Sequence, residues 1–374
     1  MSTRVSRITL REIRLPLQEA FRISSGAVRE RRIMLLALEC ADSVMAWSEC
    51  VAGEWPNYSA ETIDTAWHAI REWLAPRVLG VELAEARGVH DMLGRDVRGH
   101  AMAKAALEMG VWALEAEMRG RPLARLLGGT RDRVAVGISL GLQDSAGALV
   151  ERALAAADRG YRRIKLKIAP GADVENVRIV RAALPDADLS VDANAAYERG
   201  DAGRLMLLDA FGLVMIEQPL EPDDLLGHAE LQATLRTPIC LDESITAAAR
   251  VSDMVRLGSG RIVNIKPGRV GGFTSSLRIH DLCTERGVPV WCGGMLESGI
   301  GRAHNVALAS LPNFTLPGDL SPSARYWERD IVRPEWTMDA SGHVRVPDAP
   351  GLGVEVDVDR VDDLTVRCEE LGAD

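Results

Sequence analysis

Five ionisable residues stand at near-constant intervals, each at the end of a short apolar run. Lys167 closes Ile164-Lys165-Leu166-Lys167, Asp192 closes Leu189-Ser190-Val191-Asp192, and Glu217 closes Val214-Met215-Ile216-Glu217. Asp242 closes Ile239-Cys240-Leu241-Asp242, and Lys266 follows Ile262-Val263-Asn264-Ile265. The intervals are 25, 25, 25 and 24 residues. One strand, one helix and two loops need that much chain. Each residue therefore takes the same place on a successive strand of a β/α repeat. A solvated strand end explains one such charge, but not five at one spacing. In a β/α barrel the C-terminal strand ends carry the active site.

The residue types point to a chemistry. Three carboxylates converging on one place repel, the more so in a low-dielectric cavity. A hard divalent cation resolves the conflict, and an oxygen-only donor set of Asp192, Glu217 and Asp242 suits Mg²⁺ or Mn²⁺ rather than zinc. The lysines Lys167 and Lys266 flank the acids. A lysine beside a cation loses pKa and can act as a base near neutral pH. Metal with lysine is the pattern for removing a proton next to a carboxylate. Asn194 and Asn264 are expected to support the site by hydrogen bonding. Glu243 is expected to support it or to point elsewhere. Arg269, in Lys266-Pro267-Gly268-Arg269-Val270-Gly271-Gly272, is expected to depress the Lys266 pKa or to bind an acid group.

Elements that can hold these residues follow. Candidate strands are Val134–Leu140, Arg163–Ile168, Leu189–Ala193, Leu213–Glu217, Pro238–Asp242, Arg261–Ile265, Val288–Cys292 and, more weakly, Phe314–Leu316. They alternate with helical stretches such as Asp173–Ala183 and Thr274–Arg286, which argues a parallel barrel. Before them, Ile8–Ile13 and Arg32–Cys40 alternate as strands, joined through Ser24, Ser25 and Gly26. A short strand is expected at Ala46–Cys50, and helical periodicity runs from Ala60 to Leu127, clearest over Ala101–Met118. The predicted fold class is α/β, a (β/α)7β-type, TIM-like barrel with an α+β capping domain. The cap takes residues 1–127, joined by the tail 320–374, and the catalytic barrel takes 128–319.

A chain of 374 residues fits a barrel plus one smaller domain. A net charge of −10 argues against nucleic acid as the partner, which needs a clustered basic surface. The six cysteines form no CxxC pair, so a zinc or dithiol site is not expected and buried free thiols are. The start has no continuous apolar segment and no run is long enough to span a bilayer, so no membrane partner and a cytoplasmic location are expected. The expected partner is a small-molecule carboxylate substrate, with a homo-oligomer as the expected assembly. The seven histidines form no cluster, and His280 and His304 are expected to pack or face solvent.

The same residues resemble a family. The KxK at Lys165–Lys167, VDAN at Asp192, IEQP at Glu217, LDES at Asp242 and NIKPGRVGG at Lys266 resemble the enolase superfamily, in its muconate-lactonizing branch. Further likeness to o-succinylbenzoate synthases and N-succinylamino acid racemases lies in Ser48–Ala52, Pro56–Tyr58, Ala103–Met109, Trp291–Glu297 and Leu311–Asp319. The resemblance covers nearly the whole chain. It implies Mg²⁺ on Asp192, Glu217 and Asp242, with Lys167 and Lys266 as the acid/base pair. It implies that Lys165 supports Lys167 and contacts the substrate carboxylate. It also implies a loop at Leu17–Gly26, with Phe21, closing over substrate, and a pocket lined by Cys50, Val51, Ser139 and Met295. Ala113 departs from an aspartate usual in relatives, and Ser48 from a common glycine.

The leading functional expectation is o-succinylbenzoate synthesis, a dehydration in menaquinone biosynthesis, with N-succinylamino acid racemisation as a co-equal or additional activity. Dipeptide epimerase or muconate cycloisomerase is the alternative; an acidic pair near the eighth strand would favour the epimerase, and none is evident. A metal-free aldolase with Lys266 as Schiff base conflicts with the converging acids. A non-enzymatic binding barrel would have lost a ligand or a base, and none is lost.

Overall fold

The computed structural model describes residues 3–23 and 26–373, with only the backbone at 21–23, 26 and 27. The N-terminal part is an antiparallel sheet of β1 (Thr3–Ile23), β2 (Gly26–Cys40) and β3 (Met45–Cys50), with the late strand Thr365–Gly372 on the outer side of β1. Ile8 stands opposite Leu38, Leu10 opposite Leu36 and Ile13 opposite Ile33, and all six are buried. The strands run well past the alternating stretches expected from sequence. Phe21 pairs with Val28 and Ile23 with Gly26, so the segment expected as a loop over Leu17–Gly26 includes strand pairing at its end.

Helix α1 (Ala101–Met118) lies on this sheet and is buried along almost its whole length. Its run of alanines and Gly110 permits close approach. A Cβ at Gly110 would come within 2.6 Å of Leu38 Cδ1 and 3.2 Å of Ser48 Cβ. No helix among the described residues is long and apolar enough to cross a membrane.

Seven parallel strands then form one curved sheet: β4 (Gly137–Leu140), β5 (Arg163–Lys167), β6 (Leu189–Asp192), β7 (Ile216–Glu217), β8 (Ile239–Leu241), β9 (Ile262–Ile265) and β10 (Val290–Cys292), paired in chain order. β8 and β10 are wholly apolar runs, whereas β5 alternates Arg163, Lys165 and Lys167 with Ile164 and Leu166, so that one face of it carries cations. The run Val134–Leu140 divides at Val136. Its first part, Arg133–Ala135, pairs antiparallel with His343–Arg345, and its second part is the barrel strand.

The eighth position is not a regular strand, contrary to the expectation for Phe314–Leu316. Residues 313–319 close the ring by separate bonds: Val290 N donates to Asn313 O at 3.3 Å, Asp319 N to Cys292 O at 2.9 Å, and Gly137 N to Gly318 O at 2.7 Å. Pro312 and Pro317 lack the amide donors that a ladder needs. This is a TIM-like barrel with a separate mixed cap.

Candidate active site

Strand register brings the ladder together. Lys167 pairs with Asp192 and Asp192 with Glu217 on adjacent strands. Asp242 and Lys266 follow directly on the ends of β8 and β9. Lys167 and Lys266 both line a cavity of about 610 Å³; Asp192, Glu217 and Asp242 are 2%, 0% and 0% exposed, with Asp192 bonded to Lys167 and Asp242 to Lys266. In a ring of eight positions, strands β5 and β9 are second and sixth, and so lie opposite one another. The two ammonium groups thus address one space from opposite sides.

The acids are held apart by cations. Lys165 Nζ lies 2.8 Å from Glu217 Oε2, 3.2 Å from Asp192 Oδ2 and 2.8 Å from Asp319 Oδ2. Lys167 Nζ donates to Asp192 Oδ2 at 2.7 Å and to Asn194 Oδ1. Lys266 Nζ donates to Asp242 Oδ2 at 2.7 Å and to Tyr58 OH at 3.2 Å. Among the described residues no three His, Cys, Asp or Glu side chains stand together as a ready metal cage. Like charges repel, and here ammonium groups neutralise the carboxylates in place. The donor chemistry still fits a hard divalent cation. The acids are buried oxygen donors, and Glu243 Oε2 and Asn264 Oδ1 are buried acceptors without a hydrogen-bond partner.

The charges respond to this packing. Burial pushes the Glu217 carboxyl up, and Asp192 adds to the push, against the pull of Lys165. Burial also opposes ionisation of Asp192, but Lys167 and Lys165 outweigh it and hold the group well below the usual carboxylate range. Burial disfavours the Lys266 cation, yet Tyr58, Glu243, Glu217 and Asp192 hold its pKa far above the ordinary lysine value. That is opposite to the depression expected from Arg269. The guanidinium instead binds Asp242, and donates to Ile245 O at 2.9 Å, Asn264 O at 2.6 Å and Tyr58 OH at 3.1 Å. Arg269 thus binds an acid of the site, one of the two roles expected for it.

The other expected residues divide. Asn264 Nδ2 donates to Glu217 Oε1 at 2.8 Å. Asn194 adopts a left-handed turn, φ 44°, that asparagine tolerates, and its amide donates to Glu243 Oε1 at 3.1 Å. Glu243 therefore faces the site and does not point away from it. Val51 and Met295 line the cavity with Tyr58 and Leu296. Cys50 and Ser139 do not. Cys50 is fully buried in the cap, and Ser139 stands on β4 opposite Lys165 with its hydroxyl buried and unpartnered. The Phe21 side chain lies outside the described residues.

Sequence reasoning assigned no role to Tyr58, Asp319 or Trp291. Asp319 accepts from Arg163 Nη2 at 2.9 Å as well as facing Lys165. The Trp291 ring stacks under both cations, 4.0 Å from the Arg163 guanidinium and 4.7 Å from Lys165 Nζ. Each comes from a segment remote in sequence. The available signal was a polar or aromatic residue set in the segments Pro56–Tyr58, Trp291–Glu297 and Leu311–Asp319.

Two family models match the chain. One described as "Mandelate racemase / muconate lactonizing enzyme, N-terminal domain" matches residues 6–128, and one described as "Enolase C-terminal domain-like" matches 148–361. The chain belongs to the enolase superfamily. Within that superfamily it is 48% identical to an o-succinylbenzoate synthase of Geobacillus kaustophilus, over 98% of this chain and 97% of the relative. It is 49% identical to an N-succinylamino acid racemase of Amycolatopsis, over 99% of this chain and all of the relative. A solved enolase-superfamily member from Listeria innocua superposes with a TM-score of 0.96 at 37% identity, with both chains covered in full.

Proposed function

We propose that this chain removes the proton α to a substrate carboxylate, serving both as an o-succinylbenzoate synthase and as an N-succinylamino acid racemase. The observation that carries the reading is the placement of Lys167 and Lys266 at opposite sides of one cavity above three buried acids. Relatives that bear either name match the chain end to end at nearly equal identity.

In racemisation one lysine accepts the α-proton and the lysine on the other face delivers a different proton to the same carbon. Dehydration asks less: a single lysine takes the α-proton and returns a proton to the departing hydroxide, and water leaves. Enzymes of the superfamily generally use Mg²⁺, and here Asp192, Glu217 and Asp242 would hold it. When bound, the ion supplies positive charge for the substrate carboxylate as negative charge builds on it. Lys165 adds a second buried cation beside Asp192 and Glu217.

The dipeptide epimerase alternative is disfavoured by the eighth position. Asp319 is the acid there, and Arg163 and Lys165 already occupy it. The test is exchange of the α-proton of each N-succinylamino acid enantiomer in D₂O, followed by proton NMR. Lys167→Ala should abolish exchange of one enantiomer and Lys266→Ala that of the other, with net racemisation lost in both. Undiminished exchange of both enantiomers in either variant would sink the two-base mechanism.

A further inference from the structure

Glu108 is a fully buried charge in a helix that is itself buried along almost its whole length. Its carboxylate leaves the cap and enters the barrel. Oε2 accepts from Phe273 N at 2.7 Å, and Oε1 accepts from Thr274 N at 2.9 Å, Thr274 Oγ1 at 2.6 Å and Trp112 Nε1 at 2.9 Å. Phe273 and Thr274 open helix α2 (Phe273–Glu285), whose first amides have no partner within the helix. An anion there meets both the free N–H groups and the positive end of the helix dipole.

The turn leading into α2 is the one that begins at Lys266. Val270 N donates to Lys266 O at 3.2 Å, and Gly272 N to Pro267 O at 2.8 Å. Gly272 has φ +106°, and a Cβ there would lie 2.3 Å from Glu108 Oε2. The turn is thus shaped around the carboxylate. A second cap residue grips it as well, with His90 Nδ1 3.0 Å from Gly271 O. Lys167 is held differently. Among the described residues its ammonium is bonded by Asp192 and Asn194, both of the barrel.

We propose that Glu108 is a positioning residue for Lys266, through which the cap sets the reach of the lysine on one face of the substrate and not of the lysine on the other. The inference rests on the two-lysine reading above. Loss of the carboxylate leaves two helix amides and a hydroxyl seeking an acceptor, so the turn relaxes and Lys266 moves with it. Lys167, on the opposite strand, has no such link.

The experiment is D₂O exchange of both N-succinylamino acid enantiomers by Mg²⁺-loaded wild type and Glu108→Gln. Glutamine keeps the shape but turns one acceptor into a donor. The enantiomer whose exchange Lys266→Ala abolishes should slow roughly tenfold to a hundredfold, the scale of an ångström-level misplacement. The other should stay within about twofold, since a reacting group that has not moved keeps its barrier. Equal slowing of both enantiomers marks Glu108 as merely structural and overturns the proposal, as does no slowing of either. Thr274→Val removes only the hydroxyl donor at similar volume, and decides the matter by the same ratio if Glu108→Gln does not fold. Wild type that exchanges neither enantiomer fails the functional reading itself, a result distinct from loss of face selectivity alone.

Discussion

Replacing Lys165 by methionine isolates what holds the buried acids in place. Lys165 is 3% exposed and touches Asp319, Glu217 and Asp192 within 3.2 Å. Methionine keeps most of the volume and removes the charge. Removing one partner of a buried ion pair costs about 3–5 kcal/mol, because the remaining charge is left uncompensated. The low end applies here. Asp319 keeps Arg163, Asp192 keeps Lys167, and Glu217 keeps the amide of Asn264. With an unfolding entropy of about 2.1 cal/mol/K per residue, and unfolding treated as one transition, a loss of ~3 kcal/mol lowers Tm by about 4 °C.

The pH dependence of that loss follows from sign. Burial opposes the Lys165 cation, but Asp319, Glu217 and Asp192 outweigh it and hold its pKa far above the ordinary value. A lysine raised in the folded state contributes stability that is complete below its unfolded pKa of about 10.4 and is lost only as pH rises beyond it. The difference between wild type and Lys165→Met should therefore be flat from pH 6 to 9. The assay is thermal unfolding in excess chelator across that range. A Tm within a degree of wild type would refute the claim that Lys165 offsets the repulsion among these acids.

Three further outcomes are expected. Glu217→Gln should weaken Mn²⁺ binding roughly tenfold or more, read by paramagnetic titration independently of turnover, since an anionic oxygen ligand is lost. His304 is fully buried against Phe273, and burial lowers its pKa to about 4. Wild type should therefore lose about 3 kcal/mol as pH falls from 6.5 to 4, where the unfolded chain binds the extra proton, and His304→Leu should flatten that limb in denaturant titrations. Lys266→Arg should retain part of the synthase activity while losing racemisation, because charge persists but a usable base does not; Lys167→Arg should lose both, measured by coupled absorbance and polarimetry.

The reaction half of the site was legible because it is one-dimensional. A strand end every 25 residues is visible in the chain itself, and the barrel turns equal spacing into equal height. The long helix Ala101–Met118 was equally plain from its period. Tyr58 was not legible: it reaches Lys266 and Arg269 from a cap segment without periodicity, across more than two hundred residues of sequence. Glu108 was recognisable in principle, since a charge in a helix buried on all sides must find a partner, but the partner lay in the barrel. The hairpin of β1 and β2 was underestimated because Pro16 and a polar stretch after it interrupt the alternation that marks a strand. The eighth strand failed for a related reason, its prolines having removed the donors.

The division of labour in the site follows from counting around the ring. The three acids stand on β6, β7 and β8, and the lysines on β5 and β9 bracket them. That arc fills half the barrel mouth and leaves the other half to β10, the irregular eighth position and β4. The cavity beside the arc is walled by Met295 and Leu296 from the loop after β10, while Val51 and Tyr58 descend from the cap against the Lys266 turn. The acid arc is thus common to any reaction that begins with loss of an α-proton. Selection between a cyclic dehydration substrate and an acyl amino acid falls to the open half and to the cap. Since the cap also grips the Lys266 turn through Glu108 and His90, a change in what the cap accepts can alter the reach of one base without touching the other.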